Sequence, residues 1–390
     1  MGAIDSIRST WAEIDLNCLA HNIREVKKNI SKDTLIMAVV KANAYGHGAV
    51  DVSKTLLENG ADKLAVAIVA EAVELRLAGI EAPILVLGTT DENQYSQLLK
   101  HNITSTIYNY NSAKALSDEA VESKTVAKIH IKIDTGMCRI GFFPNDKAVS
   151  EIIKISKLPN IEIEGIFTHF AKADEVDKNF TRLQYNRFID LINKLEKSGV
   201  HIPLKHASNS AAIIDLPEYN LNMVRPGIML YGLYPSEEVN KDKIKLQPAM
   251  TLKTKISNIK EVSKDTGISY GHIYHTEEKT KIATIPIGYA DGFTRLLTSR
   301  GEAFINGKIV PVVGKICMDQ CMLDVTEAGN VNIGDEVILF GNGELGLHID
   351  DIANKLNTIN YEIVCMVGRR VPRVYIKDEE IISIKDYLLD

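Results

Sequence analysis

The chain has 390 residues, of which 45% are hydrophobic and 25% charged, and its net charge is −6. Such a length is too great for one small core and predicts two domains, or a large barrel with an appendage. The mild acidity excludes the basic footprint of a nucleic-acid binder, and no stretch reaches the length of a membrane span.

In chain order, Leu19, Ile23, Val26 and Ile30 recur at helical spacing, and the apolar run Leu35–Val40 then leads into Lys41. Ala49, Val52 and Leu56 predict a helix that stops at Asn59-Gly60. Further apolar runs cover 64–69, 84–87, 103–107, 126–133, 161–167 and 223–230, with a weak one at 203–204 before His206. Phe188, Leu191, Ile192 and Leu195 mark another helix, ended by Gly199. Unbroken apolar runs suit parallel strands covered on both faces. Eight of them, alternating with helices over residues 1–245, predict an α/β fold with an N-terminal (β/α)8 barrel. A doubly wound open sheet is the runner-up. Its glycine fingerprint is missing, since the first run leads into KANAYGHG rather than GxGxxG.

Near Gln247 the helical periodicity fades and turn-punctuated strands take over. Residues 303–305 and 308–310 flank Asn306-Gly307, a strong hairpin signal. Strands are predicted at 281–286, 322–325, 336–340 and 373–376, and one helix at 349–356. A C-terminal mostly-β domain over 246–390 is expected.

The five cysteines (Cys18, Cys138, Cys317, Cys321 and Cys365) are odd in number and show no CxxC spacing. They predict reduced thiols in a cytoplasmic protein. Cys317 and Cys321 lack further ligands at metal spacing, so no metal site is expected. The first residues lack the apolar core of a secretory signal. Gly2 and Ser6 fit the loose myristoylation pattern, but an unmodified cytosolic start is the preferred reading.

Barrel enzymes place their reacting groups just after the strand C-termini. Here those positions hold Lys41, Arg139, His169, Asn209 with Ser210, and Arg225 with Gly227. Together they suit an anionic, phosphate-bearing ligand with an electrophilic centre. Lys41 emerges from a core strand, where burial favours the neutral amine that a Schiff-base lysine needs. Its other reading is a strand-end lysine snorkelling to solvent. Tyr45, Gly46, His47 and Gly48 add a phenol and a flexible turn before a helix N-terminus, a natural phosphate seat. Arg225 lies in an apolar run, so its guanidinium needs a partner: an acidic residue, or a cofactor atom or anion. Arg139 is either a surface charge or a ligand contact, and His169 either a hydrogen-bonded core residue or a catalyst. Lys132 and Asp134 precede the Arg139 loop, and the bland reading of the pair is a solvated strand end.

Nine segments together carry a resemblance: AVVKANAYGHG (38–48), KIDTGMCRIGF (132–142), GIFTHFAKADE (165–175), HASNSAA (206–212), VRPGIMLYG (224–232), SYGHIY (269–274), PIGYADGF (286–293), KICMDQ (315–320) and INYEIVCMVGRRVPR (359–373). From about Trp11 to Ile376 the chain resembles the alanine racemase family. The resemblance implies a (β/α)8 barrel followed by a β domain, with pyridoxal 5′-phosphate (PLP) as cofactor. It implies that Lys41 anchors PLP, and that Tyr45, Ser210 beside Asn209, Tyr361 and the backbone of Gly227 and Ile228 hold the phosphate. Arg225 would face the pyridine nitrogen with His169 bonded to it, and Arg139 would approach the cofactor's phenol oxygen and the substrate carboxylate. Lys132 matches a position carbamylated in some members, which would neutralise it and steady Arg139. The backbone of Met318 would touch the substrate carboxylate, and Tyr289 would support the same region. In the family, Tyr270 and Met318 reach the active site of the partner subunit, which implies a homodimer with shared sites.

Racemisation needs a proton removed from one face and delivered to the other, which asks for two acid–base groups, here Lys41 and Tyr270. A phenol acting as base needs positive charge near its anion, for which His169 and Arg225 are the candidates. A cytoplasmic supply of D-alanine, a peptidoglycan precursor, is implied by the resemblance alone. Lys315 stands where arginine is common near the substrate entrance, with Lys172 near the same corridor. Three rival readings are a PLP-dependent decarboxylase, which would bring an acidic partner for the pyridine nitrogen, a barrel-only PLP carrier, and a racemase for serine or a broader range.

Overall fold

The computed structural model describes residues 7–341 and 347–389, so the Gly2/Ser6 pattern lies outside the described residues. The chain divides into two units. One comprises 19–44 and 49–246, and the other gathers the described residues of 1–18, 45–48 and 247–390. The sequence pattern places 1–18 and 45–48 with the barrel instead. β1 (Thr10–Asp15) pairs antiparallel with Met250–Lys255 and parallel with Arg373–Lys377, both in the second unit.

The first unit is the expected eight-stranded parallel barrel. Its strands are β2 (Leu35–Val39), β3 (Lys63–Val66), β4 (Ile84–Val86), β5 (Thr104–Ile107), β6 (Ala127–Lys132), β7 (Ile161–Phe167), β8 (Leu204–His206) and β9 (Met223–Val224). They run β8-β7-β6-β5-β4-β3-β2-β9, all parallel. Asn222 N–H donates to Lys205 O (3.1 Å) and Arg225 N–H to Ser208 O (3.0 Å), which brings the β9 segment back against that of β8. β3, β4 and β5 are buried along their whole length, as strands of a parallel sheet covered on both faces are, even though β5 carries Thr104, Ser105 and Thr106. The helix Asn179–Lys197 buries Phe188, Leu191, Ile192 and Leu195, and Gly199 comes after it at φ +81°.

Two expected strands are shorter than the apolar pattern. The run 64–69 is strand only to Val66, because Val69 opens the helix Val69–Leu77. The run 223–230 is strand only at Met223–Val224. Pro226 has no N–H to continue the ladder, and Ile228–Tyr231 forms a 3-10 turn.

The second unit is mostly β, as expected. Its ten-stranded sheet includes β1, the flanking strands Met250–Lys255 and Arg373–Lys377, and the hairpin Glu302–Ile305 with Lys308–Val313. Asn306 and Gly307 both take positive φ (49° and 79°), which matches the right-handed twist of the two strands. The helix Ile349–Leu356 forms where predicted. All five cysteines are thiols. Among the described residues, no helix is long and apolar enough to cross a membrane, and no cluster of His, Cys, Asp and Glu could hold a metal ion.

Candidate active site

The chain leaves β2 at Lys41 and enters a left-handed turn. Ala42, Asn43, Ala44 and Tyr45 all have φ between 52° and 54°, a conformation costing non-glycine residues roughly 1–2 kcal/mol each. Hydrogen bonds hold the turn. Ala42 N–H donates to Glu71 Oε1 at 2.6 Å, Ala44 N–H to Val40 O at 2.9 Å, and Ala49 N–H to Asn43 Oδ1 at 2.9 Å. Glu71 Oε2 also accepts from Ala67 and Ile68 N–H, which ties the turn to the end of β3. Backbone strain of this kind persists only where the surroundings over-determine it. Lys41, half-buried at the start of the turn, is therefore presented by a stiff element.

Around the barrel mouth the expected basic residues meet. Lys132 ends β6 and is buried, with Nζ donating to Ile133 O at 2.9 Å and lying 5.3 Å from the centroid of the Phe167 ring. Burial and the nearby Arg225 and Arg139 charges, opposed by Asp134, push its amine down to about 7. Asp134 is buried too and accepts from the N–H of Gly136, Cys138 and Arg139, each at 3.0 Å. The pair is a built support, not a solvated strand end. Arg139 is exposed on the loop that Asp134 ties down.

Arg225 is buried, and the groups that accept from its guanidinium are all neutral. Nη1 donates to His206 Nδ1 (2.8 Å), and Nη2 to Thr168 O (2.8 Å), Ala207 O (3.1 Å) and His169 Nδ1 (3.3 Å). The structural ion pair that the sequence left open is absent from these contacts. Burial, with Arg139 nearby, lowers its pKa to about 9. His169 is held well below its ordinary value by burial and by Arg225, Lys132, Arg139 and Lys41. The positive charge considered for it from sequence is thus disfavoured there, and Arg225 is the other candidate for it.

Asn209 caps the short helix Ser210–Asp215, its side chain accepting from Ala212 N–H at 3.1 Å. Ser210 Oγ accepts from Gly227 N–H at 3.0 Å, which draws the Gly227-Ile228 turn onto it.

The other expected residues belong to the β unit. Tyr45 is buried with its ring centroid 6.1 Å from that of Tyr361, and burial pushes its phenol up. Gly46 is required beside it: a Cβ there would lie 2.2 Å from Val364 O. Tyr270, Met318 and Tyr289 are exposed by 70%, 52% and 41%. Backbone and side-chain bonds draw their segments together: Ser269 Oγ donates to Lys315 O (2.6 Å), Tyr289 N–H to Cys317 O (3.1 Å) and Ala290 N–H to Met318 O (3.0 Å).

Sequence reasoning misses Glu71, and also His130 and Glu164 inside the barrel. A histidine amid the isoleucines of β6 and an acid in the apolar run of β7 are the signals available.

Models of the alanine racemase N-terminal and C-terminal domains match residues 14–235 and 249–375. The alanine racemase of Clostridium tetani is 54% identical over 98% of this chain and 99% of its own. A solved alanine racemase from Clostridium difficile superposes with a TM-score of 0.96 at 49% identity, covering 98% of this chain and 99% of that one. The alanine racemase of Bacillus anthracis, solved with bound L-Ala-P, gives 0.92 at 40% identity, covering 98% of each. With both domains matched in order and about half the residues shared over nearly its whole length, the chain belongs to the alanine racemase family and is an isomerase.

Proposed function

We propose that the chain interconverts L-alanine and D-alanine with PLP by a two-base mechanism, as a cytoplasmic homodimer with shared active sites that supplies D-alanine. The observation that carries this reading is Arg225, buried among neutral acceptors in a cluster of basic side chains. Lys41, Lys132, Arg139 and Arg225 influence one another or the same His169, and Asp134, the carboxylate beside them, has its oxygens engaged by three N–H groups. A ligand bearing a phosphate and a substrate bearing a carboxylate supply the missing negative charge, so the residues fit PLP and an amino acid.

When bound, PLP supplies an electron sink that acidifies the Cα–H of an attached amino acid. Lys41 anchors the cofactor and moves the Cα proton on one face, and the partner subunit's Tyr270 moves it on the other. Each group contributes roughly 10²–10⁴-fold. Tyr45, Asn209, Ser210, Tyr361 and the Gly227-Ile228 backbone hold the phosphate. Arg139 and the Met318 backbone orient the substrate carboxylate, and Tyr289 supports that region. Arg225 would hold the ring nitrogen with a proton that a guanidinium does not readily give up, which would disfavour side reactions such as transamination. The same arginine argues against a decarboxylase. Lys132, whose amine is pushed down to about 7, has its unprotonated form favoured, and that form adds carbon dioxide with loss of a proton to give a carbamate. Serine differs from alanine by one hydroxyl, so spillover to serine is expected.

Subunit complementation tests the shared site. Lys41→Ala and Tyr270→Phe should each be inactive alone. Because each site takes Lys41 from one subunit and Tyr270 from the other, reassembled mixtures regain one intact site per hybrid, roughly a quarter of wild-type activity. No recovery from mixtures shown to hybridise would overturn the shared site.

A further inference from the structure

Arg225 heads a buried chain of hydrogen bonds that leads away from the barrel mouth. Its Nη1 donates to His206 Nδ1 at 2.8 Å, and His206 Nε2 lies 2.8 Å from His130 Nδ1. His130 Nε2 lies 3.1 Å from Glu164 Oε2, and Glu164 Oε1 accepts from Lys63 Nζ at 2.8 Å. Both rings are fully buried and packed, with His206 stacked on Phe167 and edge-on to His130.

The fold is shaped to hold this chain. The pairing of β6 with β7 slips by one residue, from Ile129 opposite Ile163 to His130 opposite Gly165. Glu164 is the extra residue of that bulge, the kind of irregularity that re-aims a side chain. Gly165 leaves room for the imidazole, since a Cβ there would lie 2.5 Å from the His130 ring.

The two ends set the proton positions. A guanidinium only donates, so His206 Nδ1 must be a bare acceptor and its proton must sit on Nε2. That proton points at His130 Nδ1, which must then also be bare, leaving His130 Nε2–H to donate to a carboxylate that only accepts. Every proton in the chain is fixed by Arg225 at one end and Glu164 at the other.

We propose that Glu164, braced by Lys63, is a positioning residue for Arg225: it locks His130 and His206 in their Nε2–H tautomers and so keeps an unprotonated nitrogen facing the guanidinium. The functional half of this proposal rests on the proposed role of Arg225 at the ring nitrogen, whereas the tautomer lock does not. Glu164→Gln is the informative change because glutamine has one oxygen where glutamate has two. Lys63 claims that oxygen, the amide N–H turns to His130 Nε2, and the ring must move its proton to Nδ1. His206 is then driven to carry its proton on Nδ1, where it meets the arginine donor head-on. Adding Lys63→Met frees the oxygen for His130 and restores the original order.

The test is ¹⁵N NMR of histidine-labelled protein, with and without PLP, for wild type, Glu164→Gln, and Glu164→Gln with Lys63→Met, beside racemisation of L-alanine by the loaded proteins. His206 Nδ1 should be unprotonated in wild type, shift toward the protonated position in the single variant and return in the double. In step, kcat should fall by about 10- to 100-fold, the scale of one buried charge-assisted hydrogen bond, and then recover. A His206 Nδ1 that stays bare in Glu164→Gln overturns the lock, even if activity falls. Shifted tautomers with unchanged kcat overturn the positioning role. Should the variant not fold, any Nδ1–H or doubly protonated form of either ring in wild type at pH 7 overturns the lock. Wild-type tautomers as stated in a PLP-loaded protein that does not racemise alanine overturn the functional reading, and the positioning role with it.

Discussion

Asp134→Asn is a small change with a calculable consequence. One carboxylate oxygen accepts from Gly136 and Cys138 N–H and the other from Arg139 N–H, all at 3.0 Å. Burial opposes ionisation, but these N–H groups and Lys132 outweigh it and hold the carboxyl below its ordinary pKa. An asparagine keeps one oxygen, so its amide N–H faces the Arg139 N–H and one charge-assisted bond becomes a donor–donor contact. Losing a hydrogen bond to a charged group and leaving a donor unsatisfied costs about 2–4 kcal/mol in all. The Arg139 loop is the part released, and a displacement of about 1 Å at a substrate-orienting group costs on the order of 10²-fold in rate. Urea unfolding should show the stability loss, and steady-state kinetics with alanine should show a raised KM together with a lowered kcat/KM. An Asp134→Asn protein with wild-type stability and wild-type KM would refute the claim that Asp134 positions Arg139.

Arg225→Glu places an acceptor against Thr168 O and Ala207 O, so stability should fall by about 3–5 kcal/mol while the ratio of transamination to racemisation rises; an unchanged ratio counts against Arg225 as the guard of the ring nitrogen. Lys132 is pushed down from its ordinary 10.5 to about 7, so the folded state disfavours its protonated form. That destabilisation is complete below pH 7 and fades as pH climbs from 7 toward 10.5. In carbon-dioxide-free buffer, the thermal midpoint of wild type relative to Lys132→Met should therefore rise from pH 7 to 9, and parallel profiles would contradict the shift. Gly46→Ala forces a Cβ to within 2.2 Å of Val364 O at a positive φ of 82°, which should cost about 2–5 kcal/mol in denaturant unfolding; a neutral outcome would mean that the segment moves freely.

The barrel was legible because strands such as β2 and β4 are apolar without interruption and a helix such as Asn179–Lys197 carries a regular buried stripe, whereas β5, with Thr104, Ser105 and Thr106, is buried without being apolar. The hairpin at Asn306-Gly307 was legible from turn chemistry alone. Less legible was where β1 belongs, because its pairing partners lie more than 230 residues away and nothing local names them. The rim residues Lys41, Arg139, His169, Ser210 and Arg225 are legible as the polar groups just past the strand C-termini. Their supports are not. Glu71 reaches the Lys41 turn from the next βα unit, and Glu164 reaches His130 only because of a bulge, which no periodicity rule announces. Lys132 and Asp134 read as a solvated strand end for a related reason. Charged residues at a strand terminus ordinarily face water, and only the loop from Thr135 to Gly141 folding back, through Phe142 N–H to Lys132 O, buries them.

The central claim is tested most directly by monitoring the optical activity of L-alanine with the purified, PLP-supplied protein, with L-serine and a longer amino acid run beside it. Decay to a racemate, fastest with alanine, is the result the account predicts. Full retention of optical activity with all three, by a protein that demonstrably binds PLP, would contradict it.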